Sequence, residues 1–558
     1  MTKILIIGGM AAGCKAAAHL RRLGSEYDIT IIERSSFLSV SACGLPFFAS
    51  GDVEDFKELI STSYGSVRDD SYFRNEKNIK ALTNTEVLSI NPEKKQLIAL
   101  NLKTKEESVY YYDKLLIATG SQAMRTPFEI PQSDRISNFL SANDAIAFKQ
   151  LAERGKIGSV AIIGGGFIGC ELAEAMVSMW GIETYLFEKE NHLLPRCLDN
   201  EIASVFENLL KSKDVIIHLN TVINRIDEEA GQLKVLSSSG NSPLVDYVFL
   251  CLGVKPNTFL AESCGVTLGD YKGILVDDTL KTSVEDIFAA GDCIEVKYFI
   301  TGKKGVFPFG SLANRQGRVV AENMAGNKVT FKGAVAAASV KVFDTVLAVC
   351  GMSETEAHRN GIECKSVIGL FSDRPDFHPD SKDITAVLVY EVGTLRLIGF
   401  QAIGQGEVTR LVDAFSILAS KSATALDLLE FEHAYTPPHS PPMNVLNHLG
   451  SMAIAQETRN IKCMKISELS AFKGTIIDVR KPDEIAEYPL QQPSIHIPLH
   501  EIYMRKQEVP SSMPLLFVCQ KGVRSHEAAC SFKNAGWEDV SYLGGGILLK
   551  NSICHFQA

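Results

Sequence analysis

The chain has no dense block of lysine and arginine, no CxxC pair and no uninterrupted apolar run long enough to cross a bilayer. Each absence excludes a class of function. The formal net charge is -10, so the basic footprint of a nucleic-acid binder is missing and an anionic ligand has to be met by local cations. The 13 cysteines are scattered without a Cys/His cluster at metal-ligand spacing, which argues against structural zinc and iron–sulfur centres, and no metal is expected. The most apolar stretch, AVAAASVKVFDTVLAVC, is interrupted by Lys341 and Asp344, and no membrane partner is expected. The N-terminal MTKILIIGG enters a folding pattern with no charged n-region, apolar h-region and cleavage site ahead of it, which predicts a cytoplasmic protein. Most thiols are then inert small apolar side chains, as Cys170 and Cys251 are inside apolar runs.

What is present fits a multidomain enzyme. A chain of 558 residues exceeds one core at about 100 to 200 residues per domain. Hydrophobic residues at 46% and charged residues at 22% leave ample material for those cores. Residues KILII run into GGMAAG and then into AAGCKAAAHLRRL, a strand, tight turn and helix. Glycine is required where the backbone turns sharply beside a pyrophosphate whose charge is met by helix N-terminal N–H groups. Gly8 and Gly13 hold the outer positions, and Met10 fills the middle one, next to Ala11 and Ala12. A second strand, TIIERS, ends in Glu33 at the distance for a carboxylate that accepts from an adenosine ribose. The pattern recurs at SVAIIGGGFIGCELAEAM, where Gly164, Gly166 and Gly169 give full spacing around Phe167 and Ile168, followed by ETYLFEK with Glu188. A carboxylate there favours a free ribose 2'-hydroxyl, hence NADH over NADPH, with Lys189 softening the preference.

Between and after these turns stand YDKLLIATGS, VFLCLGVKPN and TSVEDIFAAGDC. With them the first 450 or so residues resemble the pyridine nucleotide-disulfide oxidoreductase family. The resemblance implies an FAD domain split by an NAD domain, then an interface domain used in dimerisation. It also implies flavin contacts from Ala118, Thr119, Gly120, Gly291 and Asp292, and cofactor contacts from Arg34, Ser41 and Gly253. SVSACGLPFFASG resembles the single-cysteine branch, which includes NADH oxidases, NADH peroxidases and coenzyme A-disulfide reductases. Cys43 matches its redox cysteine, and Phe48 stands where two-cysteine members place the second sulfur. A thiol at a helix start is expected to be stabilised as thiolate by the helix dipole. Arg21 and Arg22 resemble the pair that meets coenzyme A phosphates, and RQGR at 315–318 resembles a segment beside the flavin. In HAYTPPHSPP, Tyr435 matches the tyrosine that approaches the redox cysteine from the other subunit and offers it a proton. The chain departs from the pattern at RPDFHPDS, where Phe377 and His378 replace a second tyrosine region, and at SPPMNVLN, which lacks a lysine–aspartate pair. His378 and His439 are the replacement acids to consider.

The final hundred or so residues restart with TIIDVRKPDEIAEYP, SIHIPLHEI and LLFVCQKGVRSHEAAC, ending in LGGG. They resemble a rhodanese domain. A strand ending at a cysteine before a helix makes Cys519 to Arg524 an anion cradle of converging N–H groups, suited to a thiolate or a persulfide. Arg524 is expected to fix the loop and supply positive charge, with Gln520 and Lys521 lining the entrance, and Asp478 and Arg480 to support the fold. The six-residue loop favours sulfur transfer over phosphatase chemistry.

The reading is an α/β chain with two Rossmann-like dinucleotide-binding domains, for FAD (1–115 and 271–325) and NAD (116–270). An α+β dimerisation domain (326–450), a linker (451–460) and an α/β rhodanese domain (461–558) follow. The expected activity is reduction of a small persulfide, polysulfide or disulfide by a homodimer. Electrons pass from NADH to FAD to Cys43 to the substrate sulfur, Cys519 handles sulfane sulfur, and coenzyme A serves as carrier. The alternatives are an NADH oxidase or peroxidase cycling a Cys43 sulfenic acid, and a sulfur carrier or redox sensor delivering sulfur from Cys519 to a protein.

Overall fold

The computed structural model describes residues 1–511 and 513–554. The chain divides into two compact units. One holds residues 1–187, 221–298 and 302–334, and the other holds 188–220, 299–301 and Val335 onward.

The first unit is built on two parallel sheets. In one, the strands run in the order Ile287–Ala289, Lys114–Ile117, Thr2–Ile7, Tyr27–Ile32, Lys80–Leu82. Its central strand is a near-continuous apolar run, Ile4 to Ile7, because helices cover both faces and leave no polar side. Helices Ala11–Leu23 and Gly310–Met324 pack closely, since a Cβ at Gly317 would lie 2.6 Å from the Ala12 carbonyl. His19 Nε2 and Glu322 Oε1 join them at 2.8 Å. The other sheet carries Glu183–Phe187, Ser159–Ile163, Tyr247–Leu250 and Ile136–Ser137 side by side. Phe139, Phe148, Tyr247 and Phe249 fill its underside with tilted and edge-on ring contacts. Antiparallel strands Ser121–Ala123 and Val254–Pro256 form the connection.

The second unit contains a five-stranded antiparallel sheet in the order Ala338–Val342, Thr345–Gly351, Leu397–Gly404, Asp383–Glu391, Cys364–Ser372. It also contains a five-stranded parallel sheet in the order Lys462–Met464, Val540–Leu543, Leu515–Val518, Thr475–Asp478, Ile495–His496. The two are bolted together. Residues 451–460, read from the sequence as a linker, are helical to Arg459, within a helix Val445–Arg459 that Asn444 caps and Asn460 ends in the left-handed region. Their apolar run MAIA buries Met452, Ala453 and Ala455, and that burial holds the segment in the fold. From this helix Gln456 donates to the Ser366 carbonyl (3.1 Å) and to the Tyr390 hydroxyl oxygen (3.2 Å), and accepts from Cys463 N (2.7 Å). Lys465 pairs with Glu354 across the same junction. Among the described residues no helix is long and apolar enough to cross a membrane.

Candidate active site

The two glycine turns are near copies in space. Gly8 and Gly164 have φ of +107° and +112°, and a Cβ at either would sit 2.1 Å from the Ala118 oxygen or 2.2 Å from the Cys251 oxygen. Only glycine fits. A Cβ at Gly13 or Gly169 would strike the oxygen of Gly8 at 1.9 Å or of Gly164 at 2.1 Å, so each helix starts tight against its strand. Met10 and Gly166 are the respective N-caps, and neither helix has a side-chain cap or an acid in its first turn, which opens on Ala11 and Ala12 or on Phe167 and Ile168. Helices after Asp69, Ser141 and Ser353 do receive side-chain caps. Uncapped N–H groups at the positive end of a helix dipole, beside a turn stripped of side chains, fit the pyrophosphates of FAD and NAD(H).

Glu33 is buried, and its carboxylate accepts from Gly9 N at 2.7 Å and Ser35 N at 2.8 Å. It braces the glycine turn, a role the sequence reading did not give it. Arg34 is exposed beside it. Glu188, directly after Glu183–Phe187, is buried and accepts from Glu190 N at 3.0 Å, while Lys189 leans to Glu190 at 3.6 Å. The segments of Ala118, Thr119 and Gly120 and of Gly291 and Asp292 meet: Ser121 Oγ donates to Asp292 at 3.2 Å, and Gln316 Oε1 accepts from Gly291 N at 2.7 Å. Thr119 Oγ donates to the Asn257 carbonyl at 2.6 Å, close to Gly253, which turns with φ +93°.

Cys43 is exposed in a short 3-10 turn, Ala42–Gly44, capped by Ser41, whose oxygen accepts from Gly44 N at 2.8 Å. The helix that follows, Leu45–Ser50, has six residues. Partial desolvation of the sulfur, then the carboxylates of Glu171 and Asp292, push the thiol up. The helix that would stabilise a thiolate is short, and the charges of Glu171 and Asp292 oppose one. Burial and Glu174 in turn push Glu171 up to about 7. Phe48 carries Lys149 Nζ at 4.1 Å from its ring centroid, and the same ammonium donates to the carbonyls of Val53 (2.9 Å) and Glu54 (2.8 Å). A buried lysine thus pins the cysteine segment where other sequences would place a second sulfur.

Arg21 donates to five backbone carbonyls, those of Tyr27 and Asn78 at 2.8 Å each and those of Gly24, Ser25 and Lys77. It ties the end of its own helix to the start of the next strand and to the end of helix Asp70–Lys77, leaving Arg22, exposed and 3.2 Å from His19 Nδ1, as the freer cation of the pair. In the second unit Tyr435 is 50% exposed on a loop that Arg410 holds through the carbonyls of Ala434 and His439. His378 Nδ1 accepts from Asp380 N at 3.2 Å, and so acts as a turn residue.

Cys519 ends the fully buried strand Leu515–Val518 and is 1% exposed. Its sulfur accepts from Gly522 N at 3.1 Å and Ser525 N at 3.3 Å, and lies 3.3 Å from Ser525 Oγ. Gly522 turns the loop at φ +99° and heads the helix Val523–Asn534. The cradle stabilises negative charge on sulfur. Arg480 and Asp478 form a buried pair at 2.7 Å, and Arg480 also donates to the Tyr488 carbonyl at 2.7 Å, fixing the turn into helix Pro482–Glu487. Arg524 forks onto Glu484 at 2.8 and 2.5 Å, which anchors the loop to helix Pro482–Glu487. Lys521 reaches Ser372 Oγ at 2.9 Å and Asp383 at 2.7 Å. Glu171, Glu484 and Ser525 were missed in the sequence. Only Ser525 carried a signal, as the polar residue opening the helix after the cysteine loop.

Family models match residues 2–317 as pyridine nucleotide-disulphide oxidoreductase, 337–445 as its dimerisation domain and 465–548 as a rhodanese-like domain. The chain is 30% identical to an NAD(P)H sulfur oxidoreductase (CoA-dependent) of Pyrococcus abyssi, over 78% of this chain and 95% of that protein. It superposes on an NAD-dependent persulfide reductase from A. fulgidus with a TM-score of 0.92 and 34% identity, over 98% of this chain and 100% of the other. It superposes on the reduced CoADR-RHD of Bacillus anthracis with a TM-score of 0.92 and 28% identity, over 99% and 98% of the two chains. The chain belongs to the pyridine nucleotide-disulphide oxidoreductase family and carries that family's dimerisation domain and a C-terminal rhodanese-like domain.

Proposed function

We propose that the protein is an NADH-dependent reductase of coenzyme A persulfide, or of a related low-molecular-weight polysulfide or disulfide, working as a cytoplasmic homodimer. The observation that carries this reading is the backbone cradle around Cys519, in one chain with an exposed Cys43 and two uncapped nucleotide turns. Gly8, Gly13 and Glu33 would hold FAD and Gly164 to Gly169 would hold NADH, and the two cofactors when bound would supply the electron pair that reduces sulfur. The Cys43 thiolate attacks the carbon-bound sulfur of the persulfide, and hydrosulfide leaves. The mixed disulfide is then reduced to the Cys43 thiolate and the free thiol. Per turnover, one persulfide, one NADH and one proton give one thiol, one hydrogen sulfide and one NAD+. Arg22 meets the phosphates of the carrier, and Tyr435 of the second subunit supplies a proton at Cys43. An oxidase cycling a Cys43 sulfenic acid has no use for a second cysteine whose sulfur is wrapped in N–H donors.

The test is anaerobic NADH consumption with coenzyme A persulfide and with coenzyme A disulfide, recording sulfide, in the wild type, Cys43→Ser and Cys519→Ser. Cys43→Ser should abolish turnover and leave sulfur transfer to Cys519 intact, whereas Cys519→Ser should do the reverse. No anaerobic turnover, followed by fast NADH oxidation once oxygen is admitted, would establish the oxidase instead.

A further inference from the structure

The loop CQKGVRS brings two cations to the mouth of Cys519, and the fold pairs both with carboxylates from outside the loop. Arg524 is forked onto Glu484 by two hydrogen bonds, at 2.8 and 2.5 Å. Glu484 is itself fixed, because its Oε2 also accepts from Lys481 N at 2.9 Å as the cap of helix Pro482–Glu487. That helix is set by the buried Asp478–Arg480 pair, so the acid that meets Arg524 stands on a rigid support. Lys521 points into the antiparallel sheet of the same unit, 2.7 Å from Asp383 Oδ1, 2.9 Å from Ser372 Oγ and 3.8 Å from Asp376 Oδ1. Ser372 ends the strand Cys364–Ser372, Asp383 begins the strand Asp383–Glu391, and Asp376 lies in the RPDFHPDS turn between them. Within hydrogen-bonding distance of the Cys519 sulfur, among the described residues, stand neutral groups, Gly522 N, Ser525 N and Ser525 Oγ, while Arg524 acts on it only through space and with its charge already matched by Glu484.

A small dianionic donor has to bring two negative charges up to an anionic thiolate, and it needs uncompensated cations to do so. A persulfide donor carries at most one charge on its terminal sulfur and keeps any others remote. We propose that Glu484 and Asp383 are specificity residues that compensate the Arg524 and Lys521 charges at the mouth of the loop, so that Cys519 takes sulfur from thiol persulfides and discriminates against thiosulfate. This rests on the reading of Cys519 as a sulfur acceptor. With a persulfide, the Cys519 thiolate attacks the terminal sulfur of R–S–SH, the S–S bond breaks, R–S⁻ leaves and Cys519–S–SH forms. With thiosulfate the same attack would have to expel sulfite as a dianion, beside paired cations.

The experiment measures sulfur transfer to cyanide by the full-length protein from thiosulfate and from coenzyme A persulfide, in the wild type, Glu484→Gln and Asp383→Asn. Intact-protein mass reports sulfur on Cys519 after each donor alone. The wild type should favour the persulfide in kcat/KM. Each variant should raise the thiosulfate-to-persulfide ratio of kcat/KM about tenfold, mainly through the thiosulfate KM, and high salt should erase the gain. A purely structural role for these acids would lower kcat for both donors and leave the ratio unmoved, which overturns the proposal. Asp383 begins a strand of the antiparallel sheet whereas Glu484 stands on helix Pro482–Glu487, so one variant still decides the question if the other does not fold. Equal use of both donors by the wild type overturns the specificity alone. Failure of Cys519 to gain sulfur from either donor overturns the acceptor reading and the specificity with it.

Discussion

Glu171 sits on the helix after the second glycine turn, and burial together with Glu174 keeps its carboxyl protonated to about pH 7. Below that pH it is neutral toward Cys43, and above it a negative charge is added to the burial that already disfavours the thiolate. Glu171→Gln should therefore alkylate at Cys43 about three- to tenfold faster than wild type at pH 8.5, and at the same rate at pH 6, where Glu171 is neutral in both. Iodoacetamide kinetics on the reduced protein, read by peptide mass, check this. Parallel pH profiles would show that the carboxylate does not act on the thiol. The sequence showed Cys43 plainly, because a cysteine in SVSACGLPF is a local pattern. It did not show the two acids facing the sulfur, which arrive from distant parts of the chain. The loop of Arg524 was legible for the same reason, and its partner Glu484, on another helix, was not.

At the scale of elements, the strand–turn–helix units were legible because their constraint is short-range: the glycine, the strand before it and the uncapped helix after it are contiguous. Gly164→Ala forces a Cβ into the Cys251 carbonyl at 2.2 Å at a positive φ. The variant should weaken NADH binding by about tenfold or more while FAD is retained, since it strains the second turn and leaves Gly8 alone. NADH titration of the flavin-loaded protein measures it, and loss of flavin would place the damage elsewhere. The helix Val445–Arg459 was not legible as a connector. Its polar end, QETRN, reads as a linker in sequence, while its buried contacts through Gln456 exist only once both sheets of the unit are formed. Limited proteolysis of the native protein should leave 451–460 uncut. A cut there that releases the C-terminal domain would mean this helix does not hold in solution.

Over the whole molecule, the antiparallel sheet and the C-terminal parallel sheet belong to one compact unit, joined through Gln456, Lys465–Glu354 and Lys521. Amide exchange in Leu515–Val518 and Asp383–Glu391 should report a common opening free energy, since neither sheet can lose its partner without exposing the junction. Widely different protection would show that the two open independently. The domain order was legible because each domain announces itself by local motifs, whereas the joining of two of them into one body rests on side chains far apart in sequence. Burial has one more consequence. Of 13 cysteines, Cys43 and Cys554 are exposed, Cys197, Cys251, Cys264 and Cys530 are half-buried and the other seven are buried, Cys519 under its own loop. To a bulky maleimide in solution the folded chain offers Cys43 and Cys554 first and withholds the seven buried thiols, so a gel-shift ladder that climbs past the exposed and half-buried sites counts how much of the molecule has come undone.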